Sequence, residues 1–196
     1  MLAFRRPPNL RGLITRASIT LPHDNSTLGF YDCSRPSCKM HEYNVTGDTF
    51  YSSVTKKSYT IKQDLDCFSH NHIYLITCKK SDCLWQYVGE TGRRHTDRTP
   101  EHIRDIRFSV DCPVSIHFRS HFRNPNLAVK NFSIQVIEHC KKDSTQYRKT
   151  REIYWQDVLK PQINKINCTN KRHTRSSQLA ATYTITPKGK KSLGKK

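Results

Sequence analysis

The chain of 196 residues has no apolar run approaching the ~20 residues that a membrane-crossing helix needs, so no bilayer span is expected. It also lacks a secretory start. MLAF runs at once into Arg5-Arg6 and Pro7-Pro8, where no signal-peptide apolar core can form. The expectation is therefore an intracellular protein, nuclear or cytoplasmic, whose 8 cysteines stay reduced. Acidic residues are scarce, 16 Asp+Glu against 34 Lys+Arg, for a formal net charge of +18. That much positive charge opposes compaction by self-repulsion and calls for a polyanionic partner, nucleic acid first. Apolar residues are only 35% of the chain, which predicts a core of roughly 100 residues with loose flanks. Close C-x2-C pairs are missing too, so the cysteines do not spell out a standard zinc ribbon.

What cysteine there is clusters early. Cys33, Cys38 and His41 form a C-x4-C-x2-H array, Cys67 lies further on, and Cys78 and Cys83 flank a later turn. Soft thiolates in a reduced compartment, in a segment too poor in apolar residues to fold alone, point to structural Zn²⁺. A tetrahedral site needs about four ligands, and these six residues are the candidates. Within the same stretch, TFYSS and KKSYTIKQDL read as a small hairpin turning near Thr55–Lys57.

The next stretch organises the rest. HIYLITC and WQYV are β-branched and apolar and read as an antiparallel pair, each strand carrying one tyrosine, Tyr74 and Tyr87. Gly89 and Gly92 follow in a turn. Strands are expected at 72–78, 85–89 and 132–138, the last from the alternation of Phe132, Ile134 and Val136. Thr99-Pro100-Glu101 is a good helix start, with Ile103, Ile106 and Arg107 on one face. A helix beginning there leaves Arg98 outside it. Residues 143–160 read as a second helix, capped by Asp143, stopped by Pro161, with Tyr147, Arg151, Tyr154, Val158 and Leu159 near one face and Glu152 at its edge. At the start of the chain Asn9 is suited to cap a short helix carrying Leu13, Ile14 and Ile19. From Cys168 on, NKRHTR and PKGKKSLGKK read as a disordered basic tail that adds phosphate contacts or serves nuclear import.

Taken together, IYLITC, QYVGETGR, the Arg98…His102 spacing, REIYW and an asparagine after a proline resemble the GIY-YIG endonuclease domain over about residues 73–167. RRPPNLRGLITRA, the cysteine segment before TIKQDLDC, and YVGETGR are similar to the Penelope-like retrotransposon branch of that family. The resemblance implies a small α/β fold: a three-stranded antiparallel sheet flanked by helices and preceded by a cysteine-rich irregular segment. It divides the chain into a remnant of a polymerase region (1–30), a zinc-binding insert (31–70), the nuclease domain (71–167) and the basic tail (168–196). No paired aspartates of a polymerase site are present, so no polymerisation is expected.

The implied activity is Mg²⁺-dependent nicking of DNA, with no small-molecule cofactor. The implied roles are Tyr74 and Tyr87 as catalytic tyrosines, one of them a general base with its pKa lowered among cations. Arg98 would grip the scissile phosphate and His102 assist, Glu152 would hold the metal, and Asn164, or Asn167 by spacing, would match the family asparagine. His72 stands where the family has the glycine of its first motif, Gln156 replaces an apolar residue after Trp155, and Pro100 interrupts the Arg98–His102 helix. The alternative these departures leave is a nucleic-acid-binding module whose catalysis has decayed.

Overall fold

A computed structural model describes residues 28–168, so the expected helix after Asn9, the polymerase remnant up to residue 27 and the tail beyond Cys168 lie outside the described residues. The described chain is mixed α/β. Strands β1 (Gly29–Phe30), β2 (Thr49–Tyr51), β3 (Ser58–Thr60) and β4 (Asp64–Leu65) precede the main strands β5 (His72–Cys78), β6 (Gln86–Thr91) and β7 (Phe132–His139). The helices are α1 (His95–Arg107), α2 (Pro113–His121), α3 (Pro125–Lys130) and α4 (Thr145–Leu159), followed by a 3₁₀ turn at Ile163–Lys165. β5 is the centre of a three-stranded antiparallel sheet in the order β6-β5-β7. β2 and β3 form the antiparallel hairpin read from TFYSS and KKSYT, with Lys56 in the left-handed conformation at its turn (φ 59°). β1 and β4 pair in parallel.

The period-2 alternation of β5 sends its side chains to two cores. Tyr74, Ile76 and Cys78 face a core shared with Ile103 and Ile106 of α1 and Phe118 of α2. Ile73 and Leu75 face a second core with Phe30, Phe50, Ile61 and Leu65 of the cysteine-bearing segment and Leu159 of α4. That segment therefore buries its few large apolar residues against the back of the sheet.

Both sheet edges are closed, which removes templates for unwanted pairing. On β7, Ile134 exchanges backbone hydrogen bonds with Tyr43 and Val45, each 2.9 Å. On β6, side-chain amides act as a surrogate strand. Gln162 Oε1 accepts from the Gln86 N–H (3.2 Å), and Asn164 takes both the N–H and the C=O of Val88 at 2.8 Å.

Prolines at the first turn start α2 and α3, and a left-handed residue stops α4. Asn124 caps α3 through its side chain, accepting from Asn126 N at 2.9 Å, with Pro125 next. α4 is capped by Ser144, not by Asp143 as expected; Asp143 is drawn instead into an ion pair with Arg148. Lys160 (φ 52°) then ends α4 in the left-handed conformation, before Pro161. On α1, Ile103 and Ile106 are buried, but Arg107 is exposed and His102 takes its place in the core.

His72 is fully buried, and neither of its ring nitrogens has a partner among the described residues. Burial, and then the neighbouring His95, hold its pKa well below 6.5. The unfolded chain therefore takes up this proton first, so stability falls as pH drops below 6.5 toward the folded value. His72→Leu is expected to raise stability by about 1 kcal/mol at pH 7 and to flatten this acid loss, as measured by urea unfolding between pH 5 and 7.5.

Candidate active site

The site begins with the start of α1. The helix opens at His95, four residues before the expected Thr99, so Arg98 and His102 lie one turn apart on one face of one helix. Two orphan N–H groups of its first turn are met from the cysteine-bearing segment: His95 N donates to Ser69 O (2.9 Å) and Thr96 N to Cys67 O (3.1 Å). Pro100 sits inside the helix and forgoes only the bond to the carbonyl four residues back.

Facing Arg98 and His102 is Tyr74, on the central strand and 1% exposed. Its hydroxyl lies 3.1 Å from Arg98 Nε and 2.9 Å from His102 Nε2. The guanidinium can only donate, so Tyr74 Oη accepts that bond, while the imidazole tautomer sets the direction of its bond with His102. The other ring nitrogen of His102, Nδ1, is buried without a partner among the described residues. Burial and the charge of Arg98 hold His102 well below 6.5, leaving the imidazole neutral at pH 7.

Gly89 of β6 lies under this hydroxyl. A Cβ there would come 2.5 Å from Tyr74 Oη, so only glycine lets β6 pass. Tyr87, half-buried, stands beside the pair, with ring centroids 6.5 Å from Tyr74 and 6.2 Å from His102. The expected lowering of a tyrosine pKa does not occur. Burial raises both phenols, and for Tyr74 outweighs the opposing charge and hydrogen bond of Arg98.

The carboxylates complete the arrangement. Arg98 also donates to Glu101 at 2.8 Å, and Arg93 grips the same carboxylate with both of its terminal nitrogens. Glu152, on α4, is pushed up to about 7 by burial and then by the neighbouring Glu90. Glu90 is itself held by the buried Arg148 (2.8 Å), which also reaches Asn71 Oδ1 (2.7 Å) and lies where Gly92 leaves space. The carboxamide of Asn164 holds both the N–H and the C=O of Val88, and so braces the strand that carries Tyr87.

The metal-ligand candidates fall into two groups instead of competing for one site. Donor atoms of Cys33, Cys38, His41 and Cys67 all lie within 4.8 Å of one another, and so do those of Cys78, Cys83 and His117. Cys33 Sγ is 3.4 Å from His41 Nε2, and Cys83 Sγ is 3.5 Å from His117 Nε2 and 3.6 Å from His121 Nε2. Zn–S and Zn–N bonds of about 2.3 and 2.1 Å span tetrahedral edges of about this length, so thiolates and imidazoles so spaced fit zinc. Burial pushes the free thiols of Cys67 and Cys78 up to about 12 and about 11, which a metal replacing their protons would reverse. His117 and His121 were not among the expected ligands. The C-x4-C of Cys78 and Cys83 and the H-x3-H of these histidines carried that signal across a gap of more than 30 residues.

No protein-family model matches the chain, and no curated protein or solved structure matches it either. The polar cluster is therefore read from its own geometry.

Glu152 offers a direct check. Its folded-state pKa lies above the ordinary 4.5, so the folded chain keeps a proton that the unfolded chain has lost. Its effect is thus to lower stability as pH rises from 4.5 to about 7. In the absence of divalent cations, Glu152→Gln is expected to stabilise the fold by about 1–2 kcal/mol at pH 8, the gain shrinking toward pH 5 in urea unfolding.

Proposed function

We propose that the chain is a DNA endonuclease of the GIY-YIG kind, of the Penelope-like branch, that nicks DNA with Mg²⁺. The observation that supports this most is the hydrogen-bonded triangle of Tyr74, Arg98 and His102 with an elevated carboxyl, Glu152, beside it. Hydrolysis of a phosphodiester requires a water made nucleophilic, a place for its proton, and cations facing the phosphate. Tyr87, being half-buried, is the tyrosine that can align the water. Tyr74 accepts the water's proton while passing its own to His102, which becomes an imidazolium. The water oxygen bonds to phosphorus as the bond to the leaving oxygen breaks, and that oxygen takes up a proton from solvent.

Arg98 serves twice, holding the Tyr74 oxygen in place and offering its fork to the phosphate. Glu101 occupies part of that fork, and its bidentate hold by Arg93 gives it a partner when the phosphate displaces it. Glu152 would hold the metal, with Glu90 nearby; a carboxyl raised by burial and a second carboxylate gains most from a cation. When bound, Mg²⁺ supplies Lewis-acid stabilisation of charge on the phosphate oxygens. The formal charge of +18 suits a polyanionic substrate, and two structural Zn²⁺ ions suit the cysteine–histidine groups.

The depth of Tyr74 and the engagement of Arg98 by Glu101 favour a second reading, a DNA-binding module without catalysis. Supercoiled-plasmid nicking with Mg²⁺ separates the two. The nuclease nicks, Glu152→Ala abolishes nicking, and Arg98→Ala lowers it about 100-fold while DNA affinity drops less than about threefold. Retained DNA binding with no nicking by the wild type leaves the binding module.

A further inference from the structure

The first metal centre touches the nuclease helix directly. α1 has no side-chain cap: Arg94 at its N-cap makes no side-chain cap bond. Its His95 and Thr96 N–H groups end instead on the carbonyls of Ser69 and Cys67. Cys67 is one of the four clustered metal-ligand candidates and is fully buried. The turn that follows it is tied down, with Asp66 Oδ1 accepting from Phe68 N (2.9 Å) and Asp66 N donating to Ser69 Oγ (2.8 Å). The carbonyls that cap α1 are therefore aimed by the same turn that presents the Cys67 sulfur.

A second tie runs through one side chain. Asn44 donates through Nδ2 to Cys67 Sγ (3.3 Å) and to Asp32 Oδ1 (2.7 Å), while its Oδ1 meets His95 Nε2 at 2.9 Å. The ring of His95, fully buried, also packs edge-on against Phe30 at 5.2 Å. Arg98 follows one turn after His95 and His102 one turn after that. A cap on the first turn thus sets the axis on which both side chains depend.

We infer that the Cys33–Cys38–His41–Cys67 centre is the N-terminal cap of α1 in all but name, so that its metal occupancy governs the aim of Arg98 and His102, with Asn44 as the positioning residue between sulfur and helix. The inference that this governs cleavage rests on the nuclease reading; the capping itself does not. With thiolates held by Zn²⁺ the loop is rigid and the cap in place. Loss of the metal frees the loop, and α1 loses two of its first-turn partners together with the Asn44 bridge. The centre then works as a zinc-dependent control on the site. Cys78, Cys83 and His117 give a comparison centre, for none of them shares these bonds to α1.

The test uses amide hydrogen exchange on the zinc-loaded full chain, without DNA or Mg²⁺, comparing wild type with Cys38→Ala and Cys83→Ala. Cys38→Ala is expected to lose one zinc ion per chain by atomic emission. The amides of His95 and Thr96 should then exchange about tenfold faster or more, while those of β5 keep their protection. Cys83→Ala should leave His95 and Thr96 unchanged. Unaltered protection in Cys38→Ala, loss of protection in β5 as well, or no zinc lost would each overturn the inference. In a parallel nicking assay, Asn44→Ala with its zinc content intact should lose about tenfold in kcat with KM for plasmid unchanged. An unchanged kcat in an active enzyme counts against Asn44 as the positioning residue. If the wild type does not nick at all, the nuclease reading fails while the exchange result still decides the capping.

Discussion

A phenol hydroxyl buried in a core must find partners, and the Tyr74 hydroxyl is the group on which the described structure turns. Left alone, a hydroxyl at 1% exposure would cost a few kcal/mol, about 1–3. Here Arg98 and His102 satisfy it, and meeting that demand requires α1 to cross the sheet in one register. Gly89 is the counterpart constraint from the neighbouring strand, since any side chain there would strike the same oxygen. The hydroxyl, the helix register and the glycine are three views of one requirement.

The rest of the chain supports that crossing from outside. The cysteine-bearing segment closes one sheet edge, fills the rear core and supplies the carbonyls at the start of α1. The Asn164 and Gln162 carboxamides close the other edge, along the strand that carries Tyr87. Arg148 joins α4, the end of β6 and the loop before β5, and so fixes where α4 presents Glu152. Such placement uses backbone carbonyls and side-chain amides from segments far apart in sequence, which suits a chain with few large apolar residues to spare.

Where local signals set the structure, the sequence was readable. The β-branched HIYLITC run and the Phe132–Val136 alternation lie in strands within a residue or two of the expected bounds. The start of α1 was not readable, because its caps are main-chain groups of Cys67 and Ser69 and no side chain near residue 95 signals them. Thr99-Pro100-Glu101 carried a genuine local preference that tertiary contacts overrode. The direction of the tyrosine shifts was also hidden, since burial depends on how α1 and β6 close over Tyr74. Tyr74, Tyr87, Arg98 and His102 do converge, Asn164 braces the strand that carries Tyr87, and His117 joins a cysteine group spaced to hold a metal that its separation in sequence concealed.

The central proposal is that the Tyr74 hydroxyl hands its proton to His102 during phosphodiester cleavage. Removing that one oxygen tests it most directly: single-turnover nicking of supercoiled plasmid by Tyr74→Phe at saturating protein and Mg²⁺, with circular dichroism confirming the fold. The account predicts a loss of about 100-fold or more in the nicking rate with DNA binding retained. A folded Tyr74→Phe that nicks within about twofold of the wild type would contradict it.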